Sequence, residues 1–94
     1  MIYWVYVLES LKKGGSRYIG STHDVEHRLD QHNAGLYPPT REQRPWKVLY
    51  EEEHPTRTSA NRREEFLKTG RGKDFLKKLF RVRKPAPSRT PTNL

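Results

Sequence analysis

The chain has 94 residues, of which 32% are apolar; it has no cysteine and a formal charge of +8. A chain this short makes one small domain with a thin core of at most two packed layers. Without cysteine it has no disulfide, thiolate zinc site or cysteine nucleophile.

The charge is unevenly placed. Residues 1–61 hold eight Lys/Arg and eight Asp/Glu, whereas 62–94 hold eleven and three, so the whole excess lies in the C-terminal third. That is the footprint of a protein that binds a polyanion such as nucleic acid. The alternative is a solvated basic tail kept for solubility.

Ile2-Tyr3-Trp4-Val5-Tyr6-Val7-Leu8 is rich in β-branched and aromatic residues and predicts a buried strand. The run is far shorter than the roughly 20 residues a bilayer requires. No basic segment precedes it and no small-residue cleavage site follows. A soluble, cytoplasmic, unprocessed chain with no membrane association is expected. Lys12 to Ser16 is a glycine-containing turn, and Arg17 to Gly20 predicts a second strand, antiparallel to the first.

A first helix is predicted from Asp24 to Asn33, with Thr22 or His23 as N-cap and Gly35 as stop. A polar loop with Pro38, Pro39 and Pro45 follows. The third strand, Trp46 to Glu52, places Trp46, Val48 and Tyr50 on one face by alternation. A second helix runs from Ser59 to Thr69, capped by Thr58 and ended by Gly70. The third runs from Lys73 to Arg81, with Phe75, Leu76, Leu79 and Phe80 as its apolar stripe. From Val82 the composition shifts to Pro, Ser, Thr, Asn and basic residues, which cannot order themselves alone. The expected organisation is a domain at 1–81 and a flexible, basic, Pro-rich tail at 82–94. The fold class is α+β: a small three-stranded antiparallel sheet flanked by about three helices.

Polar residues occupy apolar positions. At about 100° per residue, Val25, Leu29 and His32 share a stripe that Arg28 flanks, and Arg28 and His32 are i,i+4 neighbours. On the second helix, Glu64 falls in line with Ala60 and Leu67. A carboxylate there requires a cation, an arginine such as Arg28 or Arg63, or strong donors. Tyr6 and Tyr18 fall on neighbouring strands, and Gly20 at a strand end permits close approach to the backbone. Each of these features taken singly is ordinarily structural. Together they are the equipment for metal-assisted hydrolysis of a phosphodiester. The arginine neutralises phosphate, the carboxylate holds a hard divalent cation, and tyrosine and histidine move a proton.

These residues resemble the GIY-YIG nuclease superfamily. Trp4-Val5-Tyr6 is a degenerate first signature that keeps only the tyrosine, and Tyr18-Ile19-Gly20 is a complete second one. Asp24 to Gly35 is similar to the family's arginine helix, with Arg28 and His32 in place. Ser59 to Lys68 is similar to the helix that carries the metal-binding glutamate, here Glu64. The resemblance covers roughly residues 2–80 and points to small standalone members, similar to the N-terminal nicking domain of the UvrC excinuclease subunit. Ser21 stands where excision-repair relatives carry a lysine.

The resemblance implies a divalent-metal-dependent DNA endonuclease that nicks one strand with low sequence specificity, in DNA repair or recombination. Glu64 would hold one Mg²⁺ or Mn²⁺ ion and Arg28 the scissile phosphate. Tyr6 or Tyr18, with Tyr6 favoured, would activate water; His32 would assist proton transfer or orient a tyrosine. No small-molecule cofactor is implied. Arg62, Arg63, Lys68, Arg71 and Lys73 are the candidate contacts to DNA. Glu52, Thr40 and Arg41 receive no catalytic assignment. The rival readings are a non-catalytic nucleic-acid-binding protein on the same scaffold and, more weakly, a basic interaction protein on ribosomes or chromatin-like assemblies.

Overall fold

The first apolar run becomes the central strand of the sheet. The computed structural model describes residues 1–12 and 14–83. Its strands are β1 (Tyr3–Ser10), β2 (Arg17–Thr22) and β3 (Trp46–His54), in the order β2-β1-β3 and antiparallel throughout. The helices are α1 (Val25–Asn33), α2 (Pro38–Arg41), α3 (Arg57–Leu67) and α4 (Gly70–Arg83). The α+β class and three-stranded sheet are as expected, with four helices where about three were predicted. The tail from residue 84 onward lies outside the described residues.

Four consecutive residues of β1, Val5 to Leu8, are buried. A strand with one wet face would alternate, so this run shows that both sheet faces are covered. The expected two layers are therefore too few. Tyr6, Leu8 and Trp46 form the core on one face, with Tyr18, Val25, Leu29 and Val48 against them. Truncating a core side chain such as Leu8 to alanine would cost about 2–5 kcal/mol. The other face carries Val5, Val7 and Ile19. The first part of α3 reaches it through Arg63 on Glu52 and through Asn61 and Glu64 on Ser21.

The alternation predicted for β3 breaks. Leu8 pairs with Val48 and Val7 with Tyr50, which leaves Leu49 as a bulge. Register partners share a face, so Trp46 and Val48 stay with Leu8 while Tyr50, Glu52 and His54 move to the α3 side.

Local chemistry sets the helix ends. Asp24, rather than Thr22 or His23, caps α1 by accepting from the His27 N–H at 3.0 Å. Gly35 (φ 80°) ends it as predicted. Its N–H donates to His32 O and that of Leu36 to Gln31 O, the paired bonds of a Schellman motif. The proline loop contains α2, because Pro38 and Pro39 at its first positions are pre-set for helix. Thr56, two residues before Thr58, caps α3. Gly70 begins α4 instead of ending the helix before it, and Thr69 caps that start. The chain divides into two compact units, the second beginning at Glu65. Within the second unit Leu67 and Leu76 are buried, whereas Phe75 of the predicted stripe is 37% exposed. No described helix is long and apolar enough to cross a membrane.

Candidate active site

Antiparallel pairing sets Tyr6 opposite Gly20 and Leu8 opposite Tyr18, so both tyrosines share a face. The missing side chain of Gly20 is what accommodates Tyr6. A Cβ there would lie 2.6 Å from the Tyr6 hydroxyl and 2.7 Å from its Cζ. The backbone approach expected at this glycine is thus made by the tyrosine itself.

Above this face, α1 presents Val25, Leu29 and His32. His32 is fully buried. Its Nε2 lies 3.1 Å from the Tyr6 hydroxyl and its Nδ1 2.9 Å from Thr40 Oγ1. The imidazole stands 4.9 Å, centroid to centroid, from each of the rings of Tyr18 and Tyr37. Arg28, one turn before His32, places its guanidinium carbon 5.2 Å from the Tyr37 ring centroid. Four predicted residues, Tyr6, Tyr18, Arg28 and His32, are therefore brought together, joined by Tyr37 and Thr40.

The electrostatics follow from this packing. Burial, then the neighbouring Tyr18, pushes the Tyr6 phenol well above its ordinary range; Arg28 opposes this, while Glu64 and Tyr37 add to it. Burial, then the Arg28 charge, moves His32 below its ordinary value. Both groups are thus neutral near pH 7, and both feel Arg28.

Glu64 is not part of this group: it comes from α3, on the other side of the sheet, and meets β2 at Ser21. Its Oε1 accepts from the Ser21 hydroxyl at 2.8 Å, and that hydroxyl also lies 3.0 Å from Asn61 Oδ1. Asn61 and Glu64 are three apart on α3 and so share a helix face. The adjacent Arg63 is turned to the sheet, its Nε donating to Glu52 at 2.7 Å. Glu52 also accepts from Tyr50 at 2.6 Å and lies 2.9 Å from His54 Nε2. Burial would raise the Glu52 carboxyl, but bonds from Tyr50, His54 and Arg63 and the charge of Arg63 hold it below its usual value. Burial and the bond to Glu52 push the Tyr50 phenol up to about 12. This cluster fixes the rotation of α3 about its axis, and hence the direction of Glu64.

No group of three or more His, Cys, Asp or Glu able to cage a metal occurs among the described residues. The Glu64 carboxylate, Asn61 amide oxygen and Ser21 hydroxyl are all hard oxygen donors. That set fits Mg²⁺, which uses one or two protein carboxylates and keeps several waters. Of the predicted DNA contacts, Arg62, Lys68, Arg71 and Lys73 are exposed, while Arg63 anchors α3.

Sequence reasoning missed Thr40, Tyr37 and Asn61. Only Asn61 carried a readable signal, its i−3 spacing from Glu64.

A model of the GIY-YIG catalytic domain matches residues 2–78. The chain belongs to the GIY-YIG family. This is a nuclease-type family, generally of endonucleases, whose domains are typically divalent-metal-dependent. A UPF0213 protein of Streptococcus sanguinis (strain SK36) is 42% identical over 66 residues, spanning 69% of this chain and 74% of that protein. The solution NMR structure of a UPF0213 protein from Bacillus halodurans is 34% identical and matches with a TM-score of 0.50, covering 84% of this chain and 85% of that one. In this GIY-YIG domain the two signature tyrosines are therefore the ones that enclose His32.

Proposed function

We propose that this GIY-YIG domain is a divalent-metal-dependent DNA endonuclease that nicks one strand with little sequence preference. The observation that carries this reading is the buried contact between Tyr6 and His32, with the Arg28 charge acting on both. A structural tyrosine–histidine pair has no need of a half-buried arginine beside it. Work on DNA in repair or recombination belongs to the same proposal.

Glu64, with Asn61 and Ser21 beside it, would hold the divalent ion, which supplies positive charge to the phosphate when bound. Arg28 binds the scissile phosphate and offsets the charge that builds on its oxygens. Water attacks phosphorus as its proton passes to the Tyr6 oxygen and the Tyr6 proton passes to His32 Nε2. The phosphorus–oxygen bond to the leaving strand breaks, and the departing oxygen takes a proton from solvent. A phenol raised by burial is a poor source of free phenolate. Handing its own proton to a neutral imidazole lets it act without ionising beforehand. The exposed basic residues hold phosphates, and such contacts carry no sequence information.

Nicking of supercoiled plasmid tests this. With Mg²⁺ the chain converts supercoiled to open-circular DNA. EDTA and Glu64→Ala each abolish conversion, while Glu64→Ala still binds DNA. Nicking that persists in Glu64→Ala removes the metal assignment. Binding without nicking in the unaltered chain supports the non-catalytic nucleic-acid-binding reading instead.

A further inference from the structure

We propose that Thr40 is a positioning residue. Its hydroxyl fixes His32 as the Nδ1–H tautomer and leaves Nε2 bare to take the proton of Tyr6. The catalytic consequence rests on the nuclease reading above; the tautomer does not.

The argument is an accounting of donors and acceptors in a buried chain. Tyr6 is 1% exposed, His32 0% and Thr40 1%. A buried phenol that keeps its proton needs an acceptor. The polar atom within reach is His32 Nε2, at 3.1 Å. An accepting Nε2 carries no hydrogen, so the neutral ring carries its single hydrogen on Nδ1. Nδ1–H donates to Thr40 Oγ1 at 2.9 Å, and the Thr40 hydroxyl donates to the Tyr37 carbonyl at 3.2 Å. Every hydrogen in the chain then has an acceptor.

Reversing the chain fails. If Thr40 donates to Nδ1, Nε2–H must point at the Tyr6 oxygen. The phenol hydrogen is then left in the core, and the Tyr37 carbonyl loses its hydroxyl donor. The end of the chain is also anchored. The Thr40 carbonyl accepts from Trp46 Nε1 at 2.9 Å and its N–H donates to Tyr37 O at 3.0 Å. Two contacts independent of His32 thus hold the backbone of Thr40 where its hydroxyl meets the ring. Tyr6 from β1, Tyr18 from β2, Arg28 from α1 and Tyr37 before α2 are the titratable or charged groups facing the imidazole. None of them offers Nδ1 a partner, which leaves that nitrogen to Thr40.

The test uses the full chain labelled with ¹⁵N-histidine. Long-range ¹⁵N–¹H correlation spectra identify the hydrogen-bearing ring nitrogen, with His32 assigned by loss of its signal in His32→Gln. In the unaltered chain Nδ1 should carry the hydrogen. Thr40→Val keeps the shape and removes the hydroxyl. It should shift the hydrogen towards Nε2 and slow nicking roughly 10–100-fold, as loss of the partner that orients a metal-bound imidazole does. Thr40→Ser should restore the tautomer and recover most of the rate.

Hydrogen on Nε2 in the unaltered chain overturns the proposal, and this reading needs no variant to fold. So does a slow Thr40→Val whose tautomer is unchanged, because the hydroxyl would then act only on packing. A shifted tautomer with an unchanged rate overturns the link to Tyr6. If the unaltered chain does not nick DNA, the nuclease reading falls and the spectra alone decide the tautomer.

Discussion

The Tyr6 hydroxyl and the His32 imidazole, 26 positions apart in the chain, meet at 3.1 Å in the core. Neither strand nor helix makes this contact alone. Tyr6 needs the gap at Gly20 to lie flat against β2, and His32 needs α1 to end in register with Thr40.

Tyr6→Phe removes one oxygen and leaves the ring. Nicking should fall about 10²–10⁴-fold, the range for losing a positioned proton-transfer group. Stability should fall by about 1–3 kcal/mol, since the buried His32 Nε2 is left without a donor. Initial nicking rates and urea unfolding, run in parallel, check the separation. Equal losses in both would make the hydroxyl structural.

Gly20→Ala places a methyl 2.6 Å from the Tyr6 hydroxyl and 2.7 Å from Cζ. Since the neighbour is a fully buried ring, it cannot swing clear. We expect a stability loss of about 1–3 kcal/mol from overpacking, and loss of nicking as the hydroxyl leaves His32. Thermal unfolding and the Tyr6–His32 contact in a structure of the variant would check this.

Ser21→Ala deletes the hydroxyl that reaches Glu64 at 2.8 Å. The carboxylate remains, but its orientation is no longer imposed. The Mg²⁺ concentration for half-maximal nicking should rise roughly 10–100-fold, with DNA binding in EDTA unchanged. A magnesium titration reads this directly; an unchanged midpoint would show that Ser21 does not orient Glu64.

Stability should fall on mild acidification. Burial and Arg28 hold the His32 pKa below its unfolded value of about 6.5. The unfolded chain therefore takes up a proton at higher pH than the folded one. Folded stability from this group is complete above that value and is lost as pH falls from there towards the depressed folded pKa. Glu52 acts in a lower window. Its carboxyl is held down in the fold, so its contribution is complete above about 4.5 and fades as pH falls further. Thermal melts from about pH 8 to about pH 3 in the unaltered chain and in His32→Gln would separate the two, because only the upper decline should vanish in the variant.

Much of the frame was legible in the sequence because it rests on local signals. A run of Val, Tyr and Leu makes the central strand, and Gly35 ends α1 at the position that favours glycine. The same local patterns place Tyr6 and Tyr18 on neighbouring strands, and the register that sets Tyr6 opposite Gly20 brings them to one face. What escaped depends on contacts distant in sequence or on residues with two local meanings. Nothing around Leu49 marks a bulge, since no glycine or proline is present. Pro38 and Pro39 read as loop residues, yet proline equally starts a helix, and the contact of Trp46 with Thr40 decides which. Gly70 follows a helix and precedes another, and Thr69 settles the matter by capping the second. Thr40 looked like a loop threonine because its partner Trp46 lies on the next strand. Ser21 looked like a missing lysine, and its hydroxyl instead reaches an α3 carboxylate 43 positions away.

The extra residue in β3 has a consequence for how this domain can vary. Upstream of Leu49 the strand closes the core over Tyr6; downstream it supplies the acidic grip on Arg63. Taking Leu49 into regular pairing instead would exchange the two sides of everything that follows. Tyr50 and Glu52 would turn towards the tyrosine core, and Glu51 would take the place facing Arg63. The bulge at Leu49 therefore couples the core over Tyr6 on one surface to the carboxylate helix on the other.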